Sequence, residues 1–155
     1  MDQNFYTFRE YMNRTGQHLT ASMEDYMEMI YRLSLDSGYT RINELANALN
    51  VHPPATTRMV QKLAELKLIK YEKYGILVLE NLGKEIGAAL IERHNIVENF
   101  LRIIGIKEQN LLEETEKIEH TITNDTMRCF SVLIAFFESN EKIQAIYNSY
   151  KNSRL

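Results

Sequence analysis

A mainly α fold, in which a winged helix-turn-helix unit with a small β-hairpin precedes an all-helical unit, is predicted by three observations. Two short segments with helical apolar spacing flank a turn at Asn50 to Pro54. The stretch LIKYEKYGILVLE at 68–80 is rich in Ile, Val, Leu and Tyr, with Gly75 near its middle, and reads as a hairpin. From Gly83 onward apolar residues recur at helical spacing. The expected divisions are an N-terminal extension at 1–20, the winged helix-turn-helix domain at 21–82 and the helical domain at 83–155.

The elements follow in order. After an aromatic opening (Phe5, Tyr6, Phe8, Tyr11), Ser22 followed by Glu24 and Asp25 reads as a helix N-terminus, with acids where the helix dipole favours them. Tyr26, Met27, Ile30, Tyr31 and Leu33 keep helical spacing until Asp36-Ser37-Gly38 stops it. Ile42, Leu45, Ala46 and Leu49 mark a short second helix, and Met59, Val60, Leu63 and Leu66 one face of a third, begun by proline. A long helix carrying Ile86, Leu90, Ile91, Val97, Phe100, Leu101 and Ile104 should end at Gly105, with further helices at 108–121, 125–138 and 140–151. The run Phe130, Val132, Leu133, Ile134, Phe136, Phe137 is more apolar than one surface helix needs, which predicts a helical core or a subunit interface. Met23, Met27, Met29 and Met59 read as core filler, and Cys129, inside the apolar run, as buried rather than reactive.

Composition narrows the function classes. A chain of 155 residues suits one ordinary domain or two small ones, and 45% apolar with 25% charged residues is ordinary for a globular protein. The single cysteine excludes an internal disulfide framework and fits a reducing cytoplasm. The first twenty residues carry Asp2, Arg9, Glu10 and Arg14, and no apolar run is long enough to cross a bilayer, so a cytoplasmic protein with no membrane partner is expected. A net charge of -3 argues against nonspecific nucleic-acid binding. Between Arg41 and Lys84, however, the bases Arg58, Lys62, Lys67, Lys70 and Lys73 join them to outnumber Glu44, Glu65, Glu72 and Glu80.

The candidate ligands lie outside that basic stretch. In ETEKIEH, residues 114–120, Glu116, Glu119 and His120 stand three and four positions apart and share one helix face. Asp25 and Glu28 share another face at three-residue spacing, and His94 stands alone. Taken alone, each is more often a solvated face or an ordinary histidine than a site, and spacing cannot bring the three groups together. If they converged, four carboxylates and two imidazoles with no thiolate would suit manganese or ferrous iron better than a soft ion. Crowded carboxylates would resist full ionisation without a cation.

The segments SMEDYMEMIY at 22–31, NVHPPATTRMVQKL at 50–63, LIKYEKYGILVL at 68–79, ERH at 92–94, ENFLRIIGI at 98–106 and EKIEH at 116–120 resemble the manganese transport regulators, the short two-domain branch of the diphtheria toxin repressor family. The resemblance runs from Ala21 to Phe137. It implies a homodimeric repressor of manganese-uptake genes, with a helical dimerisation and metal-binding domain and a binuclear Mn(II) site on Asp25, Glu28, His94, Glu116, Glu119 and His120. It also implies Fe(II), Co(II), Cd(II) and Zn(II) as substitute ions. Iron-sensing relatives carry methionine where this chain has Asp25, which favours manganese. Residues 1–20 match nothing in the family pattern, Gly75 sits one place early in the wing, and no third, SH3-like domain is expected.

The partner implied is double-stranded operator DNA, with no small organic substrate. Helix 53–66 should turn Met59, Val60 and Leu63 inward and leave Pro54, Ala55, Thr57, Arg58, Gln61 and Lys62 outside. Arg58 can donate a bidentate pair to guanine, and Pro54 or Ala55 can touch a thymine methyl. Thr57, Lys62 and the wing's Lys70 and Lys73 suit phosphates. Two other classes compete: a winged-helix regulator indifferent to metal, and a carboxylate-bridged dimetal enzyme. The enzyme fits poorly, because helix-bundle dimetal enzymes use two Glu-x-x-His pairs and this chain has none, so no catalytic residue is assigned.

Overall fold

The computed structural model describes residues 19–154, so the expected N-terminal extension falls outside the described residues apart from Leu19 and Thr20. The chain divides into two compact units, one ending at Ile91 and one beginning at Glu92.

In the first unit, helix α1 (Ala21–Ser34) is capped by Thr20, whose extended backbone lets its Oγ1 accept from the Met23 N–H at 3.3 Å. The cap is therefore Thr20 and not Ser22, which lies exposed in the first turn. Strand β1 (Thr40–Arg41) leads directly into α2 (Ile42–Ala48). Glu44 secures that start, since one carboxylate oxygen accepts from the Arg41 N–H and from Thr40 Oγ1, both at 3.0 Å. A turn then delivers the chain to α3 (Pro53–Glu65).

Both helices of this pair end in the same way. After α2, Asn50 takes a left-handed φ of 52°, and the Val51 N–H reaches back to the Ala46 carbonyl at 2.9 Å. After α3, Lys67 takes φ 58° and Leu68 N–H reaches the Leu63 carbonyl at 3.1 Å. These stops fix where α3 begins and where the next strand leaves it.

Strands β2 (Ile69–Tyr71) and β3 (Ile76–Leu79) are antiparallel, with Ile69 opposite Leu79 and Tyr71 opposite Leu77. The expected two-stranded hairpin is a three-stranded sheet in the order β1-β3-β2, because Thr40 and Arg41 pair with Leu77 and Ile76. Two residues are too few to show a strand period, which hid β1 from sequence reading. A short 3₁₀ turn (Lys73–Gly75) joins β2 to β3, with Tyr74 at φ 64° and Gly75 at φ 74°, closed by a Glu72 N–H to Ile76 carbonyl bond of 2.8 Å.

The core of this unit gathers Met27 and Ile30 from α1, Leu45 from α2, Val60 and Leu63 from α3, and Leu68, Leu77, Ile86 and Leu90, with Met23, Met29 and Met59 packed around them. Burying one such side chain fully contributes roughly 1.5–3 kcal/mol. Ile86 and Leu90 belong to α4 (Asn81–Ile104), which begins two residues before the Gly83 start expected. At Gly87 α4 comes so close to α1 that a Cβ would lie 2.6 Å from the Tyr31 Cβ.

In the second unit, α4 ends at Gly105, φ 109°, as its sequence predicts, and Ile106 N–H bonds the Leu101 carbonyl at 3.0 Å. Helices α5 (Glu108–Glu119), α6 (Asn124–Glu138) and α7 (Glu141–Asn152) follow. Val97, Leu101, Leu111 and Met127 form the core, and Phe100 stacks on Phe130 with centroids 3.7 Å apart. Lys151 reaches from α7 to the Ile103 carbonyl at 3.2 Å.

The apolar run on α6 splits into two stripes. Met127, Ile134 and Phe137 are buried, whereas Cys129, Val132, Leu133 and Phe136 form a second stripe at i, i+3, i+4 and i+7 that is exposed. Cys129 is thus exposed and not buried as expected; it lies on the outer of the two stripes.

Gly87→Ala is expected to lower unfolding stability by about 1–3 kcal/mol, although alanine favours helix by about 1 kcal/mol, because the methyl meets the root of Tyr31 rather than a flexible end. Urea denaturation would measure it.

Candidate metal centre and nucleic-acid-reading face

Helix α1 presents Asp25 and Glu28 three residues apart. Glu28 Oε1 accepts from Arg32 Nη2 at 2.7 Å and Nε at 2.9 Å, one turn further along. Glu24, read only as a first-turn acid, is buried.

The second unit gathers the other four candidates. Helices α4 and α5 form a hairpin clasped at its closed end by Arg102, which bonds Glu98 Oε1 at 2.7 Å, Asn99 Oδ1 at 2.9 Å and Glu108 Oε1 at 2.9 Å. The hydrogen bond to Glu108, joined by the Glu98 carboxylate, holds the Arg102 guanidinium above its ordinary pKa against the opposing effect of desolvation. On α5 the inward stripe is Leu111, Thr115, Glu119, each four residues apart, so Glu119 stands where an apolar residue is usual.

There Glu119, 1% exposed, turns Oε2 to Nδ1 of buried His94 at 3.2 Å. His94 Nδ1 is also 3.8 Å from Glu116 Oε1, and His120 Nε2 is 3.7 Å from Glu119 Oε1. Glu116 and His120 offer donor atoms within 4.8 Å of each other. Arg93 Nη2 lies 3.1 Å from His120 Nδ1. Arg93, within ERH, has no role assigned by the sequence pattern; its place beside His94 is the one signal that points to it.

This cluster fits a divalent cation. Glu119 Oε1 is buried and has no hydrogen-bond partner among the described residues. An unmatched buried polar atom costs about 1–3 kcal/mol, and more when charged. Carboxylate and imidazole donors without sulfur are a set for intermediate to hard divalent metals.

The reading face belongs to the first unit. Pro54, Ala55, Arg58, Gln61 and Lys62 are exposed on α3, and Thr57 is half-buried with its hydroxyl donating to the Pro53 carbonyl at 3.0 Å. Val60 and Leu63 face inward, joined by Thr56, a fully buried residue the sequence did not single out. In the wing, Lys73 is exposed, and Lys70, also exposed, stands 3.6 Å from Glu80.

Comparison with known proteins agrees with this division of labour. The family described as iron dependent repressor, N-terminal DNA binding domain, matches residues 18–77, and its metal binding and dimerisation domain matches residues 81–148. The HTH-type transcriptional regulator MntR of Bacillus velezensis is 45% identical over 122 residues, covering 79% of this chain and 86% of the relative. Its namesake in Geobacillus thermodenitrificans is 43% identical over 135 residues, covering 86% of this chain and 96% of the relative. The solved structure of the manganese regulator SloR is similar with a TM-score of 0.66 and 26% identity, covering 76% of this chain and 55% of that one. This chain thus spans about half the length of that solved relative.

Free Mn(II) at a hundredfold above its dissociation constant should raise unfolding stability by about 2.7 kcal/mol. Glu119→Gln should abolish that rise while leaving metal-free stability unreduced, since it removes a buried charge with an unmatched oxygen. Thermal unfolding with chelator and with Mn(II) measures both.

Proposed function

The chain belongs to the iron-dependent repressor family, and from this premise we propose that it is a manganese-responsive repressor that binds operator DNA as a homodimer in the cytoplasm and controls manganese uptake. Membership of a repressor family sets aside the dimetal enzyme. The observation that carries the reading is the buried, unmatched Glu119 oxygen beside His94, Glu116 and His120, inside the region matched by a metal-binding domain.

Six residues would hold Mn(II): Asp25 and Glu28 from the first unit, and His94, Glu116, Glu119 and His120 from the second. Two ions per subunit suit this number of donors, and Fe(II), Co(II), Cd(II) or Zn(II) could substitute. When bound, Mn(II) supplies the positive charge that lets the clustered carboxylates stay ionised together. With ligands drawn from both units, DNA reading and dimerisation would answer to one effector. The response equals the difference in metal affinity between competent and incompetent arrangements, typically 1–3 kcal/mol for such coupling.

For DNA, Arg58 would pair with guanine, Pro54 and Ala55 would meet thymine methyls, and Gln61 would reach base edges further along α3. Thr57, Lys62, Lys70 and Lys73 would hold phosphates. The homodimer accounts for the outer stripe of α6, where Val132 is 70% and Phe136 44% exposed, together with Ile146 and Tyr150 on α7. A two-fold dimer sets the spacing of two recognition helices. No helix among the described residues is long and apolar enough to cross a membrane.

Genomic fragments from the source organism, captured on metal-stripped protein at one fixed salt concentration, test the reading. A few promoters enriched only with added Mn(II) are expected. Equal enrichment without metal would remove the switch, and no enrichment in either condition would remove the repressor.

A further inference from the structure

We propose that Tyr74, at the tip of the wing, contacts DNA, packing its ring on a deoxyribose and donating its hydroxyl to a phosphate along the minor groove beside the half-site. The inference rests on the repressor reading and adds a positioning residue to it. Tyr74 is 89% exposed, more than any other large hydrophobic residue recorded as exposed among the described residues. Its backbone is at φ 64°, a left-handed conformation that glycine or asparagine takes at less cost and that bulky side chains rarely adopt. Folding therefore gains nothing from a tyrosine there: the ring covers no core, and the backbone disfavours it. Strained positions of this kind persist where the side chain serves binding.

The neighbours specify the partner. Lys70, Tyr71, Lys73 and Tyr74 are all exposed on one wing, with Glu72 exposed between them and Lys70 3.6 Å from Glu80, so Lys73 beside Tyr74 sets cationic next to aromatic surface at the tip. Lysines answer phosphate charge, while a phenol offers a flat apolar face for the sugar and a hydroxyl donor for phosphate oxygen. The turn is held by the Glu72 to Ile76 backbone bond, so the ring stands on a fixed platform. Such a contact carries no base information; it sets how the wing sits on the flank while α3 occupies the major groove. Because tyrosine is neutral, the contact releases no counterion, which separates it from the lysines.

Full-chain protein loaded with Mn(II), a promoter fragment captured by the wild type, and the variants Tyr74→Gly and Tyr74→Phe provide the test. Tyr74→Gly should weaken DNA binding about tenfold, the scale of a hydrogen bond together with ring packing. It should leave the salt slope unchanged, remove hydroxyl-radical protection only at the outer minor groove, and keep or raise the melting temperature. Tyr74→Phe should recover part of the affinity through the ring alone. Wild-type affinity in Tyr74→Gly would overturn the contact, and so would a loss accompanied by a shallower salt slope, which would mean that the lysines had moved. Failure of the wild type itself to protect any promoter with Mn(II) would instead overturn the repressor reading, and the wing contact with it.

Discussion

Glu119 is a carboxylate at a position where α5 otherwise points apolar or small side chains inward, and one of its oxygens has no hydrogen-bond partner among the described residues. A group 1% exposed is cut off from bulk solvent, so a charge there is costly unless it is compensated from within or by something bound. His94 stands 3.2 Å from one oxygen, and His120 Nε2 stands 3.7 Å from the other, beyond hydrogen-bond distance. The Arg102 clasp and the Gly105 turn bring α4 back beside α5, and through them the four donors of the second unit face one another. A bound cation would complete that polar network.

The first unit solves a different problem, which is to present a short helix rigidly with one face uncovered. Left-handed residues after α2 and α3 satisfy the last carbonyls and turn the chain within a few residues. Glu44 and β1 tie the start of α2 to the sheet, so the pair of helices and the wing share one core. What remains outside on α3 is polar or small: Pro54, Ala55, Arg58, Gln61 and Lys62. Base edges in a major groove ask for that mixture of donors and small apolar surface.

Much of this was legible in the sequence, and the limits have physical causes. Apolar spacing located the α-helices among the described residues, including α7, which has apolar residues at helical spacing but buries none of them, and Gly105 announced the end of α4. Thr20 was passed over as the cap because Ser22 is an equally good capping residue by type, and only backbone conformation separates them. Strand β1 is held by pairing with residues more than thirty positions away, which no local pattern reports. The apolar run on α6 spoke of core or interface, but periodicity could not say which stripe Cys129 would join. Spacing put Glu116, Glu119 and His120 on neighbouring positions without revealing that Glu119 is buried while Glu116 is about half exposed; the clue was Leu111 and Thr115 one and two turns earlier.

Metal that controls operator binding through this chain must in turn be controlled by operator, because linkage is reciprocal. Calorimetric titration of Mn(II) into the metal-stripped protein, free and saturated with its operator, tests it most directly. Operator should tighten Mn(II) binding by the same factor by which Mn(II) tightens operator binding, about 5- to 150-fold. Equal Mn(II) affinity in the two titrations would contradict it, because a metal that does not sense the operator cannot control it.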